Sequence, residues 1–211
     1  MRNFSGFALK FLDFGYTWAM FLIDKEFNGE LEIKKSKFLA FLAPYSHFHS
    51  LKAELKIKHE KSAHIVWAYR YLNDFDQIVE NSSDDGEPKG SSAPAVLNAL
   101  RGADLINACC LVVRYFGGIK LGIGGLARAY GSSANTAILA TSGHLIQYIK
   151  KENFCLVVPF SLISRIEHFS RTNNFSFNQN FIQNGCEFSF MLSDEQKEIL
   201  SKFAKGLNLE F

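Results

Sequence analysis

CCLVVRYFGGIKLGIGGLARAYGSSANTAILATSG, residues 109–143, decides how this chain is read. Ala108 to Tyr115 is a nearly continuous apolar run with Arg114 close to its end, the pattern of a strand covered on both faces. The glycine-rich Gly117 to Gly125 comes next. A helix is expected to open at Gly124 or Gly125 and to stop near Gly143, a residue type suited to ending one. Just upstream, NSSDDGEPKGSSAP at 81–94 is acidic and punctuated by glycine and proline. Ser91 or Ser92 is placed to cap a helix running from Ala95 to Leu105, and Pro94 suits its first turn.

The chain has 211 residues, 47% of them hydrophobic, enough for one large or two modest cores. The formal charge of +2 sets up no global field toward nucleic acid or membrane, so any such role needs a local patch. The four cysteines, Cys109, Cys110, Cys155 and Cys186, show no metal-binding spacing and read as reduced thiols. Phe14 to Ile23 is apolar but too short to span a bilayer, and it lacks the small-residue cleavage site of a signal peptide. A cytoplasmic location is expected. Ordered alternation begins only after Met20, so residues 1–23 are expected to be an extension and Met20 the natural start.

Outward from the central stretch, Glu30 to Ile33, Lys37 to Ala43 and Ile65 to Tyr71 read as strands, with Gln77 to Glu80 a hairpin partner of the last. Ser46 to His59 reads as a helix with the narrow stripe Leu51 and Leu55. His144 to Lys151 is expected to be a strand closing a first domain over 24–150. A second pattern then starts over 151–211. It runs through a strand at Phe154 to Pro159, a helix carrying Leu162, Ile166 and Phe169, and strands around an Asn184-Gly185 turn. A helix capped by Ser193 and Gln196 follows, and a short last strand at Leu207 to Phe211. The expected class is therefore α+β with two domains, the second ferredoxin-like.

Two readings stand for the glycine run. Backbone amides before a helix, flanked by Arg114, Lys120 and Arg128, suit an anion. The same glycines also suit a tight strand-to-helix connection. The spacing matches neither nucleotide-binding fingerprint. In the acidic loop, Asp84, Asp85 and Glu87 are candidates for a hard cation, or for acid–base chemistry beside His64, against the reading of a solvated turn. No tightly bound ion and no cofactor is expected, because Arg70, Arg114 and Arg128 are available to pair with the acids. Trp67, Tyr69, Tyr115 and Phe116 could stack bases, though Trp67 reads as core.

AHIVWAYR at 63–70, DDGEPKG at 84–90 and VVRYFGGIKLGIGGLARAY at 112–130 resemble, in order and spacing, the YigZ/Impact family over about Glu30 to Gly143. Ser91-Ser92-Ala93 stands where the family leads one to expect Thr-Ala-Gly. The resemblance implies a first domain like the second domain of a small-subunit ribosomal protein. It implies a second domain like the last domain of elongation factor G. It also implies a link to translation control, which eukaryotic members exert by antagonising activation of a starvation-responsive kinase. Carried onto this chain, its candidate residues are His64, Arg70, Asp84, Asp85, Glu87, Arg114, Gly117, Gly118, Gly122, Gly124, Gly125, Arg128 and Tyr130.

The leading expectation is a non-enzymatic, translation-associated regulator that binds RNA, the ribosome or a translation factor. Its anion-facing surface would use Arg114, Gly117, Gly118, Lys120, Gly122, Gly124, Gly125, Arg128 and Tyr130, with Arg70 bracing the acidic loop. No membrane and no DNA partner is expected, and the sequence does not fix the oligomeric state. The alternatives are a small hydrolase or transferase acting on a phosphorylated or peptide-like substrate, with His64, Asp84, Asp85 and Glu87 as its catalytic candidates, and a protein-interaction module.

Overall fold

The computed structural model describes residues 19–209, which form two compact units dividing between Tyr148 and Ile149. Each is described by itself.

The first unit opens with β1 (Phe21–Leu22), then β2 (Phe27–Ile33) and β3 (Ser36–Pro44), helix α1 (Phe48–Lys58), and β4 (His64–Leu72) with β5 (Ile78–Ser83). Helix α2 (Ala93–Gly102), β6 (Ala108–Tyr115), helix α3 (Ile123–Leu139) and the two-residue β7 (Ile146–Gln147) complete it. The main sheet has the order β2-β3-β6-β4-β5, and every neighbouring pair is antiparallel. β6 lies in its middle, and its alternation explains the continuous apolar run. Ala108, Cys110 and Val112 face the core under α2 and α3, while Cys109, Leu111 and Val113 face Leu51 and Leu55 of α1. Helices thus cover both faces of an antiparallel sheet, so its central strand shows no polar face. Burial pushes both adjacent thiols up, Cys109 to about 12, and all four cysteines are free. On the α1 side, Trp67 is half-buried, packed against Phe48 with ring centroids 5.0 Å apart and the Lys52 ammonium 4.4 Å from its own centroid.

The second unit contains β8 (Glu152–Val158), helix α4 (Ile163–Thr172), β9 (Phe177–Ile182), β10 (Gly185–Leu192) and helix α5 (Asp194–Lys205). Its sheet order is β8-β10-β9, all antiparallel, with Leu156, Phe188, Phe190, Ile166 and Leu200 in the core. The capping box at Ser193 and Gln196 is formed in full.

Four local expectations need correction. Neither Ser91 nor Ser92 caps α2 through its side chain; a distant carboxylate does, as described below. The strand expected over His144 to Lys151 shrinks to Ile146–Gln147, which pairs with β1. The β9–β10 turn is Gln183-Asn184, and Gly185 already begins β10. A Cβ on Gly185 would lie 2.1 Å from the Val158 carbonyl oxygen, so close strand approach selects that glycine. In the expected last strand, Leu207 and Asn208 form a turn closing α5, and residues 210–211 lie outside the described residues. Residues 1–18, with most of the expected extension, also lie outside them; Ile23 is buried in the first core.

Candidate functional site

The α2/α3 face of the sheet is apolar along most of its length and changes character at one end. Two residues beyond Val66 stands His64, and two beyond Val112 stands Arg114, so both share the face of the core valines. The register places Phe38, Arg114 and His64 in one cross-strand row. There the core ends in polar groups rather than in solvent.

Glu87 meets this row from the acidic loop. Its Oε1 accepts from Arg114 Nη1 at 2.5 Å and from the Tyr130 hydroxyl at 2.8 Å. The side chains of Arg114 and Glu87 are 7% and 4% exposed. The Arg114 guanidinium also lies 5.6 Å from the Phe38 ring centroid and 5.5 Å from that of Phe116, and its buried Nε has no partner among the described residues. A buried charge pair of this kind persists only where geometry and extra hydrogen bonds offset the lost hydration. Tyr130 is fully buried with its hydroxyl raised above its ordinary pKa, first by burial and then by the Glu87 charge. It therefore holds Glu87 and is not an exposed ligand contact.

The other two acids of the loop turn elsewhere. Asp84 accepts from the backbone amides of Gly90, Ser92 and Ala93 at 2.7, 2.9 and 2.8 Å, and so caps α2 from nine residues upstream. Burial alone would raise its carboxyl, but those three amides together hold it below its ordinary range. Asp85 Oδ2 accepts from the Ile65 amide at 2.7 Å, and its backbone oxygen lies 2.7 Å from His64 Nδ1. The three carboxylates thus diverge, and among the described residues no group of three or more His, Cys, Asp or Glu is placed to hold a metal ion.

The glycine run divides by role. A Cβ on Gly117 would fall 2.0 Å from the Lys35 carbonyl carbon, so this residue is glycine because the β2–β3 turn lies against it. Gly118 and Gly122 adopt φ of +85° and +72°, the left-handed region, which turns the chain from β6 into α3. Gly122 is the N-cap of α3, with no side-chain cap bond and no acidic residue in the first turn. Gly124 and Gly125 lie within that turn. Lys120 is exposed at its edge, and Arg128, also exposed, reaches back so that a Cβ on Gly124 would sit 3.7 Å from its Nη1.

A cleft of about 510 Å³ brings part of this set together. His64, Glu87 and Arg114 meet Lys120 and Gly122 around it, and Pro88, Phe116, Leu121, Ile123 and Leu126 form its apolar wall. Phe116 and Ile123 are 52% and 67% exposed, with Ile119 beside them at 43%. Apolar residues interleaved with the glycines, Phe116, Ile119, Leu121 and Ile123, are the sequence signal for that wall. Arg70 is not here. It bonds Glu80 Oε1 at 2.7 Å and the Leu105 carbonyl at 3.0 Å, so it braces β5 and the end of α2, not the acidic loop. Of the three arginines expected to pair with that loop, Arg114 alone does so among the described residues.

The model of the Impact N-terminal domain matches residues 34–138, which include every element of this cleft. A Thermus thermophilus protein described as an IMPACT family member in the pol 5' region is 35% identical over 162 residues, covering 76% of this chain and 86% of its own. The chain belongs to the IMPACT family. An IMPACT family member from Haemophilus influenzae is 39% identical over 112 residues, and there the match spans about half of each protein, 52% of this chain and 54% of the relative. A crystal structure of a hypothetical protein is similar with a TM-score of 0.62 and 25% identity, over 89% of this chain and 92% of that one. The mixed α+β architecture therefore recurs in an experimentally solved protein. Among the described residues, no helix is long and apolar enough to cross a membrane.

Proposed function

We propose that this IMPACT-family chain is a translation-associated regulatory protein that engages RNA, the ribosome or a translation factor. The contact surface is the Gly117 to Gly125 connection and the amino end of α3. One observation carries this reading: α3 begins without a side-chain cap and without an acidic residue in its first turn, and the exposed cations Lys120 and Arg128 flank it. First-turn amides have no intrahelical acceptor, and a helix amino end favours negative charge. Phosphate satisfies both. The link to translation comes from the family resemblance. The likeness of the first unit to a small-subunit ribosomal protein domain, and of the second to the last domain of elongation factor G, belongs to the same proposal.

The test is affinity capture of the full chain from native lysate before and after ribonuclease treatment. Ribosomal RNA and ribosomal proteins should co-purify and be released by the nuclease. Recovery of one protein partner outside the translation machinery, untouched by ribonuclease, would overturn this reading and favour the interaction-module alternative.

A second reading, a small enzyme acting on a phosphorylated or peptide-like substrate, draws support from His64 and Glu87 facing one cleft. Against it, no serine, threonine or cysteine among the described residues lines that cleft. We further propose a cytoplasmic location, supported by the free thiols, and independent folding of the two units, supported by their separate cores. Limited proteolysis should then cut first between His144 and Phe154, and a first cut inside β6 or α3 would contradict independence.

A further inference from the structure

Glu87 is nearly inaccessible, with its side chain 4% exposed, yet its two oxygens are used unequally. Oε1 accepts from both Arg114 and Tyr130. Oε2 accepts no hydrogen bond among the described residues and faces His64 Nε2 at 4.0 Å, too far for a bond. This oxygen opens onto the cleft and has no protein donor, so it is free to accept from a group seated there.

His64 settles what kind of group. Its Nδ1 lies 2.7 Å from the Asp85 backbone oxygen, and a carbonyl can only accept. The ring proton is therefore on Nδ1, and in the neutral ring Nε2 carries a lone pair. With the His64 ring neutral, the cleft floor presents two acceptors 4.0 Å apart. A group seated between them must bring at least two hydrogens, as a primary ammonium does. Another wall of the same cleft has the opposite character, since Gly122 and Ile123 open α3 there beside Lys120. That wall suits a carboxylate. Phe116 and Leu126 supply apolar surface in the same cleft.

We propose that this cleft binds a small zwitterion with an apolar side chain, an α-amino acid or a dipeptide. The ligand's ammonium donates to His64 Nε2 and Glu87 Oε2, and its carboxylate sits at the amino end of α3 with Lys120. Arg114 fixes Glu87 by taking its other oxygen. The site shares the end of α3 with the RNA reading but does not use Arg128, which does not line the cleft. The two readings can therefore fail separately: His64→Ala should weaken zwitterion binding and leave RNA binding, which has no need of His64, unchanged.

The test is isothermal titration of the full chain with leucine, leucyl-leucine, N-acetyl-leucine and 3-methylbutylamine. Leucine or leucyl-leucine should bind at one site, and which is tighter separates the amino acid from the dipeptide. Blocking the amine should weaken binding about tenfold to a hundredfold, as should removing the carboxylate, the loss expected for hydrogen bonds to charged groups. His64→Ala should lose a similar factor while still unfolding cooperatively, with its midpoint lowered only by the lost bond to Asp85. The amine-blocked comparison uses the wild-type chain and so does not depend on any variant folding. The proposal is overturned if neither zwitterion binds, if N-acetyl-leucine binds as tightly as leucine, or if a folded His64→Ala binds like wild type.

Discussion

Two glutamates in the first unit each meet arginines, and they do so in opposite ways. Glu80 has both oxygens occupied: Oε1 accepts from Arg70 and Arg101, and Oε2 accepts from Arg101 again. Its carboxyl is held below the ordinary range first by the hydrogen bond from Arg101. The cluster closes on itself and ties β5 to α2. Glu87 is more deeply buried and less satisfied, with one oxygen carrying two bonds and the other turned to a cleft. A count of charges would rank the Glu80 cluster higher. Hydrogen-bonding capacity left open to a cleft is the better marker of a site, because a finished ion pair has nothing left to offer a ligand.

The sharpest way to break this contrast is Glu87→Gln. It leaves the Arg114 charge buried without its counter-ion and should cost on the order of 3–5 kcal/mol, read as a shift of the urea midpoint. A loss no larger than that of an exposed pair would mean that Arg114 readily finds another partner, and the contrast between the clusters would collapse.

Asp84 sharpens the comparison from within the acidic loop, since it is finished in the manner of Glu80 but by backbone amides. Asp84→Ala removes the cap of α2 and should cost about 0.5–2 kcal/mol. Its folded carboxyl is depressed, so the stability it contributes is fully present above the unfolded carboxylate value of about 3.9 and is lost as pH falls below that value toward the folded one. The gap between wild type and Asp84→Ala, measured by denaturation across pH, should therefore narrow in acid. A gap that widens in acid would place the effect elsewhere. The smallest expected effect is that of Arg101→Ala. Its side chain is 49% exposed, and such pairs are worth about 0–1 kcal/mol after screening by solvent.

Much of the fold was legible because it is written locally. The double-faced burial of β6, the hairpin of β4 and β5, and the Ser193 cap all follow from periodicity or from residues a few positions apart. Assigning the charges was harder, because it depends on strand register. Arg70 and His64 lie on one strand face but six residues apart, about 20 Å along β4, so they reach opposite ends of the sheet. The acidic loop touches one end only. Nothing local says that Asp84 would cap a helix starting nine residues later, ahead of two nearer serines. The glycine run likewise carried two readings that geometry separates residue by residue: Gly117 is held by close backbone approach and Gly122 by its dihedral, while Gly124 and Gly125 occupy the first turn of α3.

The most direct measurement is a titration of labelled RNA against the full chain at several salt concentrations, using wild type, Arg128→Ala and Arg101→Ala. The two variants remove the same charge, one beside the open end of α3 and one from the closed Glu80 cluster. Wild-type affinity should fall with salt as counterions are released. Arg128→Ala should weaken binding across RNA sequences and reduce the salt slope by about 1, while Arg101→Ala changes neither. Equal losses in both variants, or an affinity that ignores salt, would contradict the assignment of the α3 end as the functional surface.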